Sequence, residues 1–240
     1  MNRLLFFILL LMTGTQILQA QRPVVPRPSP PDPFAPVEDV AGLPRVLLIG
    51  DSISQGYTVP VQKLLRGKAN VHRIPENGGP TKLGIAKIES WLGAGKWDVI
   101  HFNWGLHDLM FDPNRQPEPA QYEKDQLTLY EKNLRVLTAR LKQTGAKLIW
   151  ASSTPVPEEM NSQRSPSHRS GMVKFYNDVA AKVMAENDVI IDDLNAYVAP
   201  VLDKMQKPHD LHFGSEGSEF LAQKVAEVIA KALPAVSKQR

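Results

Sequence analysis

Cysteine is absent from this sequence of 240 residues. Its absence excludes disulfide bonds, a cysteine nucleophile, zinc–thiolate sites and a lipidated cysteine at the N-terminus. The stability of the folded state must therefore come from an apolar core. A hydrophobic content of 42% and a charged content of 22% are typical of a globular protein that can build one.

A strong excess of one charge is also lacking. The 28 Lys and Arg residues nearly balance the 25 Asp and Glu residues, which leaves a formal net charge of +3. The basic residues are scattered along the chain and form no stripe with aromatic residues between them. The sequence therefore predicts no nucleic-acid partner, although its isoelectric point is near 9.0.

The N-terminal residues have the composition of a targeting segment. Arg3 precedes an apolar run at residues 4–12, and Leu18-Gln19-Ala20 offers an approximate cleavage site. The apolar run is too short to span a bilayer. We therefore expect no stable membrane insertion once this segment is cleaved. We interpret residues 1–20 as a cleaved signal peptide and expect a secreted or periplasmic protein; an uncleaved anchor is the alternative.

The remaining chain divides into a spacer and a domain. Residues 21–42 are rich in proline, which fixes φ and removes an N–H donor, so they predict an extended spacer that buries little. Residues 43–240 predict one folded domain. No internal repeat and no second domain are visible in the sequence.

Short apolar segments alternate with helical patterns throughout this domain. The predicted strands lie at residues 46–49, 70–74, 97–103, 147–152 and 189–192, and the first helix is expected to begin near Val59. This alternation predicts a five-stranded parallel sheet covered by helices on both faces, in one three-layer α/β/α domain. Right-handed crossovers then bring the strand-to-helix turns to one edge, where such sheets bind their ligands.

Reactive residue types occur in the turns that should meet at this edge. Ser52 ends the first strand as part of Gly50-Asp51-Ser52, and a serine nucleophile needs an adjacent base such as histidine. Gly79 follows the second strand, His107 follows the third, and Asp210 and His212 precede the last helix. Ser52 is therefore the candidate nucleophile, although Asp51 and Ser52 could equally serve only to cap the next helix.

In these turns the sequence resembles the SGNH (GDSL) hydrolases, which are esterases and lipases of flavodoxin-like fold. The family's blocks occur in order as Gly50-Asp51-Ser52-Ile53-Ser54, Asn77-Gly78-Gly79-Pro80-Thr81, Gly105-Leu106-His107-Asp108 and His209-Asp210-Leu211-His212. The resemblance implies a serine ester hydrolase with Ser52 as nucleophile, His212 as base and Asp210 as partner of the base. It also implies an oxyanion hole formed by the amides of Ser52 and Gly79 and the side chain of His107.

The last two blocks depart from the family pattern. The third usually has asparagine where this sequence has His107, and histidine can replace it if a ring N–H points inward. In the fourth, Asp210 precedes His212 by two residues instead of three, which leaves open whether a triad or a Ser–His dyad operates. Both departures resemble a subgroup of carbohydrate O-acetylesterase-like proteins.

The predicted cleft loops favour a polar substrate. Residues 110–125 and 155–169 are rich in charged and amide side chains and offer little apolar surface to a long acyl chain. The leading hypothesis is an exported serine esterase for short-chain esters of a carbohydrate, with acetyl as the favoured acyl group and Asn103, Trp104 and Asp108 as candidate substrate contacts. A lipase or lysophospholipase of the same family and a catalytically weak carbohydrate-binding protein are the alternatives.

No cofactor and no metal are expected from the sequence. His209 and His212 are spaced like a pair of ligands, but they lack the helical context of a zincin and a clear third ligand. The predicted partner is a small-molecule or polysaccharide ester. The sequence does not indicate an oligomeric state.

Overall fold

The structure is a computed structural model that describes residues 32–110, 119–157 and 171–234. The predicted signal peptide, spacer residues 21–31 and large parts of both predicted cleft loops (residues 111–118 and 158–170) lie outside the described residues. The strands are β1 (Arg45–Ile49), β2 (Asn70–Arg73), β3 (Val99–Phe102), β4 (Lys147–Ala151) and β5 (Ile190–Asp192).

Helices follow the strands in the alternation that the sequence predicts. They are α1 (Ser52–Leu64), α2 (Thr81–Leu92), α3 (Pro119–Lys142), α4 (Met172–Ala185), α5 (Leu194–Val198), α6 (Leu202–Met205) and α7 (Ser215–Ala232). A short 3-10 turn, Ala199–Val201, joins α5 to α6. Among the described residues, no helix is long and apolar enough to cross a membrane.

The five strands form one parallel sheet in the order β2-β1-β3-β4-β5. Its inner strand β1 is buried from Val46 to Ile49, as expected for an apolar strand covered on both faces. Helix α1 packs on α7, while α2 packs on α3 and α3 on α4. The predicted three-layer α/β/α domain is thereby confirmed.

The strand order fixes where a ligand can bind. The chain leaves β1 towards β2 on one side and later returns to β3 on its other side. This reversal opens a crevice at the carboxyl ends of β1 and β3, the usual ligand site of open α/β sheets. The turns that follow β1, β2 and β3 all lie at that edge.

Helix α1 begins earlier than the sequence pattern indicates. It starts at Ser52 and not near Val59, because the Asp51 side chain accepts a hydrogen bond from Ile53 N at 3.0 Å and so caps the first turn. Pro60 lies inside the helix and lacks the N–H donor of an interior position, which hides the helix in the sequence pattern.

The end of the predicted spacer contacts the domain. Asp39 forms an ion pair with Arg45 at 2.8 Å and a hydrogen bond with His72 at 2.6 Å. The backbone of Val40 is bonded in both directions by the buried Asn70 side chain, at 2.9 and 3.0 Å. Residues just before the predicted boundary at 43 are therefore tied to β1 and to the edge strand β2, and the boundary itself stays a prediction.

Candidate active site

Ser52 lies at the point where β1 ends and α1 begins. Its Oγ is 2.9 Å from His212 Nε2, across 160 residues of chain. Asp51 caps α1 through its side chain and is 4% exposed, whereas Ser52 is half-buried at the sheet edge. The two interpretations of this turn are therefore compatible, because Asp51 caps the helix and leaves the Ser52 hydroxyl for the histidine.

His212 is held in a loop that closes on itself. Gln206 and Phe213 form an antiparallel bridge, and Lys207 N donates to His212 O at 2.9 Å. The Gln206 side chain donates to Leu211 O at 3.0 Å and to Pro155 O, after β4, at 2.8 Å. The loop is thus attached both to its own base and to the loop that follows the fourth strand.

Asp210 reaches the histidine despite the short spacing. Its Oδ1 lies 2.7 Å from His212 Nδ1 and also accepts a hydrogen bond from His212 N at 3.0 Å. Partial burial raises the pKa of Asp210, but the hydrogen bonds from His212 and the nearby charge of Lys207 outweigh it and hold that pKa below its ordinary value. The carboxylate is therefore ionised at neutral pH and can orient the imidazole.

The glycine turn after β2 approaches the Ser52 turn closely, but its amides are already paired. Gly78 N donates to Gly50 O at 2.9 Å, and Gly79 N donates to Asn77 Oδ1 at 2.9 Å. Gly79 has φ of +54°, a conformation that favours glycine. The Asn77 side chain therefore turns back onto the Gly79 amide in this conformation, and the assignment of that amide to the oxyanion hole stays a prediction.

His107 lies in the turn after β3 and is half-buried. Within the described part of the chain its ring has no hydrogen-bond partner. The Ser52 N–H, in the first turn of α1, likewise has no acceptor within its own helix. Of the three predicted oxyanion donors, these two are therefore the ones that remain unengaged among the described residues.

Asp108 faces the protein interior and not the cleft. Its carboxyl group accepts hydrogen bonds from Thr81 N at 3.0 Å and from the Thr81 hydroxyl at 2.5 Å, at the start of α2. Burial raises the pKa of Asp108 to about 7, although the hydrogen bonds from Thr81 oppose that shift. The carboxyl group therefore caps a helix, and its predicted contact with substrate stays a prediction.

Asn103 and Trp104 are also turned inward. Asn103 donates to Ala151 O at 2.7 Å, and Trp104 is 1% exposed with its indole N–H donating to Gly78 O at 3.3 Å. Neither side chain is exposed in this conformation, and their predicted contacts with substrate stay predictions. The Trp104 hydrogen bond attaches the turn after β3 to the glycine turn after β2.

Two residues that support the site are missing from the sequence-based prediction. Arg73 donates hydrogen bonds to the carbonyl oxygens of Gly50 and Asp51, beside Ser52. An arginine at the end of the predicted second strand, shortly before the glycine turn, was the available signal for it. Gln206 had no comparable signal, because its importance depends on a long-range contact with Pro155.

Metal ligands are not gathered at any point of the described ranges: no group of three or more His, Asp or Glu side chains there is arranged to hold an ion. The reactive groups of the site are thus a hydroxyl, an imidazole and a carboxylate in series. A hydroxyl bonded to an imidazole that is itself bonded to a carboxylate is the arrangement that activates a serine for attack on a carbonyl carbon.

Comparison with protein families agrees with this arrangement. Residues 48–220 match the model of the GDSL-like lipase/acylhydrolase family. Comparison with curated protein sequences finds no match.

Several solved structures share the fold at low sequence identity. An acetyl xylan esterase, AlAXEase, is 17% identical with a TM-score of 0.62, over 77% of this chain and 99% of that one. The lipase/acylhydrolase from Enterococcus faecalis is 20% identical with a TM-score of 0.63, over 80% and 98%. Axe2, an acetylxylan esterase from Geobacillus stearothermophilus, is 20% identical with a TM-score of 0.60, over 82% and 97%.

Proposed function

We propose that this chain, which belongs to the GDSL-like lipase/acylhydrolase family and is a serine ester hydrolase, removes short acyl groups from a carbohydrate. The favoured acyl group is acetyl, and the proposed location is outside the cytoplasm. The observation that carries this proposal is the hydrogen-bonded series Ser52 Oγ, His212 and Asp210, with separations of 2.9 and 2.7 Å.

The proposed reaction begins with Ser52. Asp210 accepts a hydrogen bond from the Nδ1–H of His212, which leaves Nε2 without a proton and able to take the one on Ser52 Oγ. The serine oxygen then attacks the ester carbonyl carbon, and His212 returns the proton to the departing alcohol. Water attacks the resulting acyl-serine with the same histidine as base, which releases the acid and restores Ser52.

The negative oxygen of the tetrahedral intermediates needs donors. The Ser52 N–H and a ring N–H of His107 are the proposed ones, because both lack a partner among the described residues. Gly79 N–H joins them only when Asn77 Oδ1 releases it or shares it. Losing one such donor lowers turnover by roughly 10²- to 10³-fold in related chemistry.

The proposed substrate class rests on sequence and on likeness. The two cleft loops carry few apolar side chains, and two structures of the same fold are acetylxylan esterases. A short acyl group on a polar sugar suits such loops, whereas a long acyl chain needs an apolar groove that gains about 0.8 kcal/mol per buried methylene. Export is proposed from residues 1–20 alone, and removal of that segment would leave Gln21 first.

The test uses aryl esters of graded acyl length together with an acetylated xylo-oligosaccharide. We expect kcat/KM to fall steeply from acetyl to octanoyl, acetate to be released from the oligosaccharide, and a fluorophosphonate probe to label wild-type protein but not Ser52→Ala. Preference for octanoyl esters would favour the lipase hypothesis. Absence of labelling in the wild type would favour a binding protein without catalysis.

A further inference from the structure

Arg73, at the end of β2, contacts the backbone on either side of the proposed nucleophile. Its Nη2 donates to Gly50 O at 2.8 Å and to Asp51 O at 3.2 Å, and its Nη1 donates to the hydroxyl of Ser54 at 2.5 Å. None of these acceptors is a carboxylate. The guanidinium group therefore acts on the peptide groups of the turn itself.

Holding a guanidinium group in this place is costly. Burial lowers the pKa of Arg73 to about 10, so the group remains charged at neutral pH. Its Nε is buried with no hydrogen-bond partner among the described residues, and the ring of Phe34 lies 5.4 Å from its Cζ. A methionine would fill a similar space without removing a charge from water. Packing alone thus does not account for arginine, whereas its hydrogen bonds to the two carbonyl groups and to the Ser54 hydroxyl require a donor with several N–H groups.

The Asp51 carbonyl is held from several directions. Besides Arg73 Nη2, it accepts hydrogen bonds from Ser54 Oγ at 2.8 Å and from Gln55 N at 3.1 Å. The carbonyl of Asp51 and the N–H of Ser52 belong to the same planar trans peptide and point in opposite directions. Fixing the carbonyl on one side therefore fixes where the Ser52 N–H points on the other, and charge-assisted bonds also polarise that amide.

The Gly50 carbonyl joins this arrangement to the glycine turn. It accepts hydrogen bonds from both Arg73 Nη2 and Gly78 N, at 2.8 and 2.9 Å. The same guanidinium group thus fixes the peptides before Ser52 and, through Gly50, the turn that precedes Gly79. The network therefore includes the peptide that carries the Ser52 N–H, and it ends at Gly78, the residue before Gly79.

We infer that Arg73 is a positioning residue for ester hydrolysis, which directs the Ser52 N–H at the oxygen that becomes negative in the tetrahedral intermediate. This inference rests on the proposed function. Arg73 touches neither substrate nor the reacting atoms in this assignment. It acts through the Asp51–Ser52 peptide.

The experiment compares Arg73→Met and Arg73→Lys with Arg66→Met, a control at an exposed arginine. A fluorophosphonate first titrates the fraction of active serine, and kcat is then expressed per titrated site. For Arg73→Met we expect kcat on an acetyl aryl ester to fall by roughly 10²- to 10³-fold with little change in KM. Arg73→Lys should recover part of this loss, because an ammonium group donates but lacks the planar fork.

An alkylboronic acid supplies a readout that a merely structural role would not move. It forms a tetrahedral adduct with an activated serine, so its inhibition constant should rise in parallel with the loss of kcat/KM across the wild type and both Arg73 variants. If Arg73 only stabilised the fold, its replacement would lower the melting temperature and the titratable fraction. The replacement would leave both kcat per site and boronate affinity unchanged.

Wild-type kcat per titrated site in both Arg73 variants would overturn the inference. If Arg73→Met does not fold, Arg73→Lys decides: an intermediate kcat with weakened boronate binding supports the assignment, and wild-type values refute it. A wild-type protein that fails to react with the fluorophosphonate would instead overturn the proposed function, and the inference with it. That failure is visible before any variant is compared.

Discussion

The turn that carries Ser52 and the loop that carries His212 approach to 2.9 Å, but the chain holds them in place by different means. The nucleophile turn is part of the interior. Asp51 and Ser54 are 4% and 2% exposed, and the carbonyl groups of Gly50 and Asp51 are bonded by β2 and by the glycine turn. Few atoms there can move without disturbing the core.

The histidine loop lies closer to solvent. The side chains of His212 and Asp210 are 41% and 25% exposed, and His209 adopts φ of +54°. Its position depends on the backbone bridge between Gln206 and Phe213, on the Gln206 side chain and on the buried side chains of Leu211 and Phe213. This difference indicates that nucleophile placement is coupled to folding, whereas base placement is a local matter that can be altered with the fold intact.

Replacement of His212 by alanine should produce the largest effect on activity and almost none on stability. Without a base the Ser52 hydroxyl loses its activation, so kcat should fall by about 10⁴-fold or more. The free energy of unfolding should change by no more than about 0.5 kcal/mol, as at other exposed sites. Ester hydrolysis and urea denaturation measure the two quantities.

A second histidine in the same loop provides the matched control. His209→Asn keeps a residue that tolerates a positive φ and should retain near-normal turnover. A loss of stability in His212→Ala as large as that caused by a core mutation would show that the loop is not the independent part described above.

Asp210→Asn should lower turnover by less than His212→Ala does, and by at most about 10⁴-fold. The amide cannot stabilise the imidazolium ion as the carboxylate does, but the exposed side of the imidazole can still reach water. Comparison of kcat for the two variants on one acetyl ester measures the difference. Turnover within about tenfold of the wild type would mean that a Ser–His dyad suffices, against the contact of 2.7 Å.

The residues that meet at the sheet edge could be predicted because chemistry constrains them. A buried apolar strand leads into Gly-Asp-Ser, and Asp-x-His occurs near the end of the domain. Once parallel topology brings these two segments to the same edge, few functions other than serine catalysis fit them. The short Asp-x-His spacing did not reveal whether the carboxylate reaches the ring. That outcome depends on the loop conformation, which the bridge between Gln206 and Phe213 sets.

Side-chain direction beyond the strands could not be predicted. Alternation along β3 ends at Phe102, so the sequence gives no basis for deciding which way Asn103, Trp104 and Asp108 turn. Tertiary contacts decide these directions instead. Thr81 N donates a hydrogen bond to the Asp108 carboxyl group, and Gly78 O accepts one from the Trp104 N–H. The turn of Asn77 onto the Gly79 amide is a similar local competition that a glycine motif does not reveal.

Adding one methyl group to a glycine in each of the two regions should lower the free energy of unfolding by different amounts. In Gly78→Ala the added Cβ would lie 2.9 Å from Gly50 O and 3.0 Å from Gly50 C, where no flexible side chain can yield. We expect a loss of about 1–3 kcal/mol in the free energy of unfolding, together with reduced kcat because the Ser52 turn must shift.

The corresponding glycine near the histidine loop is Gly214. In Gly214→Ala the added Cβ meets no atom within 4 Å, so the loss of stability should be smaller and kcat should be unchanged. Thermal denaturation and ester hydrolysis of both variants provide the comparison. Equal losses in the two would remove the distinction between a buried turn and a surface loop.

The last comparison concerns the pH dependence of stability, through two carboxyl groups whose pKa values move in opposite directions. Asp210 in the exposed loop has a lowered pKa, while burial raises that of Asp108, in the buried region, from 3.8 to about 7. At a pH between 3.8 and about 7, Asp108 has lost its proton in the unfolded chain and keeps it in the folded chain. The contribution of Asp108 to the free energy of unfolding is therefore largest below pH 3.8, declines as the pH rises towards about 7, and is constant above that.

Asp108→Asn isolates this contribution, because the amide keeps an acceptor for Thr81 N but does not titrate. The difference in free energy of unfolding, wild type minus variant, should decrease as the pH is raised from about 4 to about 7 and then become constant. Urea denaturation at a series of pH values measures this difference, with Asp178→Asn, at a carboxylate whose side chain is 59% exposed, as the control that should show a much flatter curve. A difference that rises with pH would mean that the folded state prefers the ionised Asp108, so that the N-terminus of α2 outweighs burial. The buried region would then stabilise its carboxylate much as the exposed loop does, and the contrast between the two would rest on packing alone.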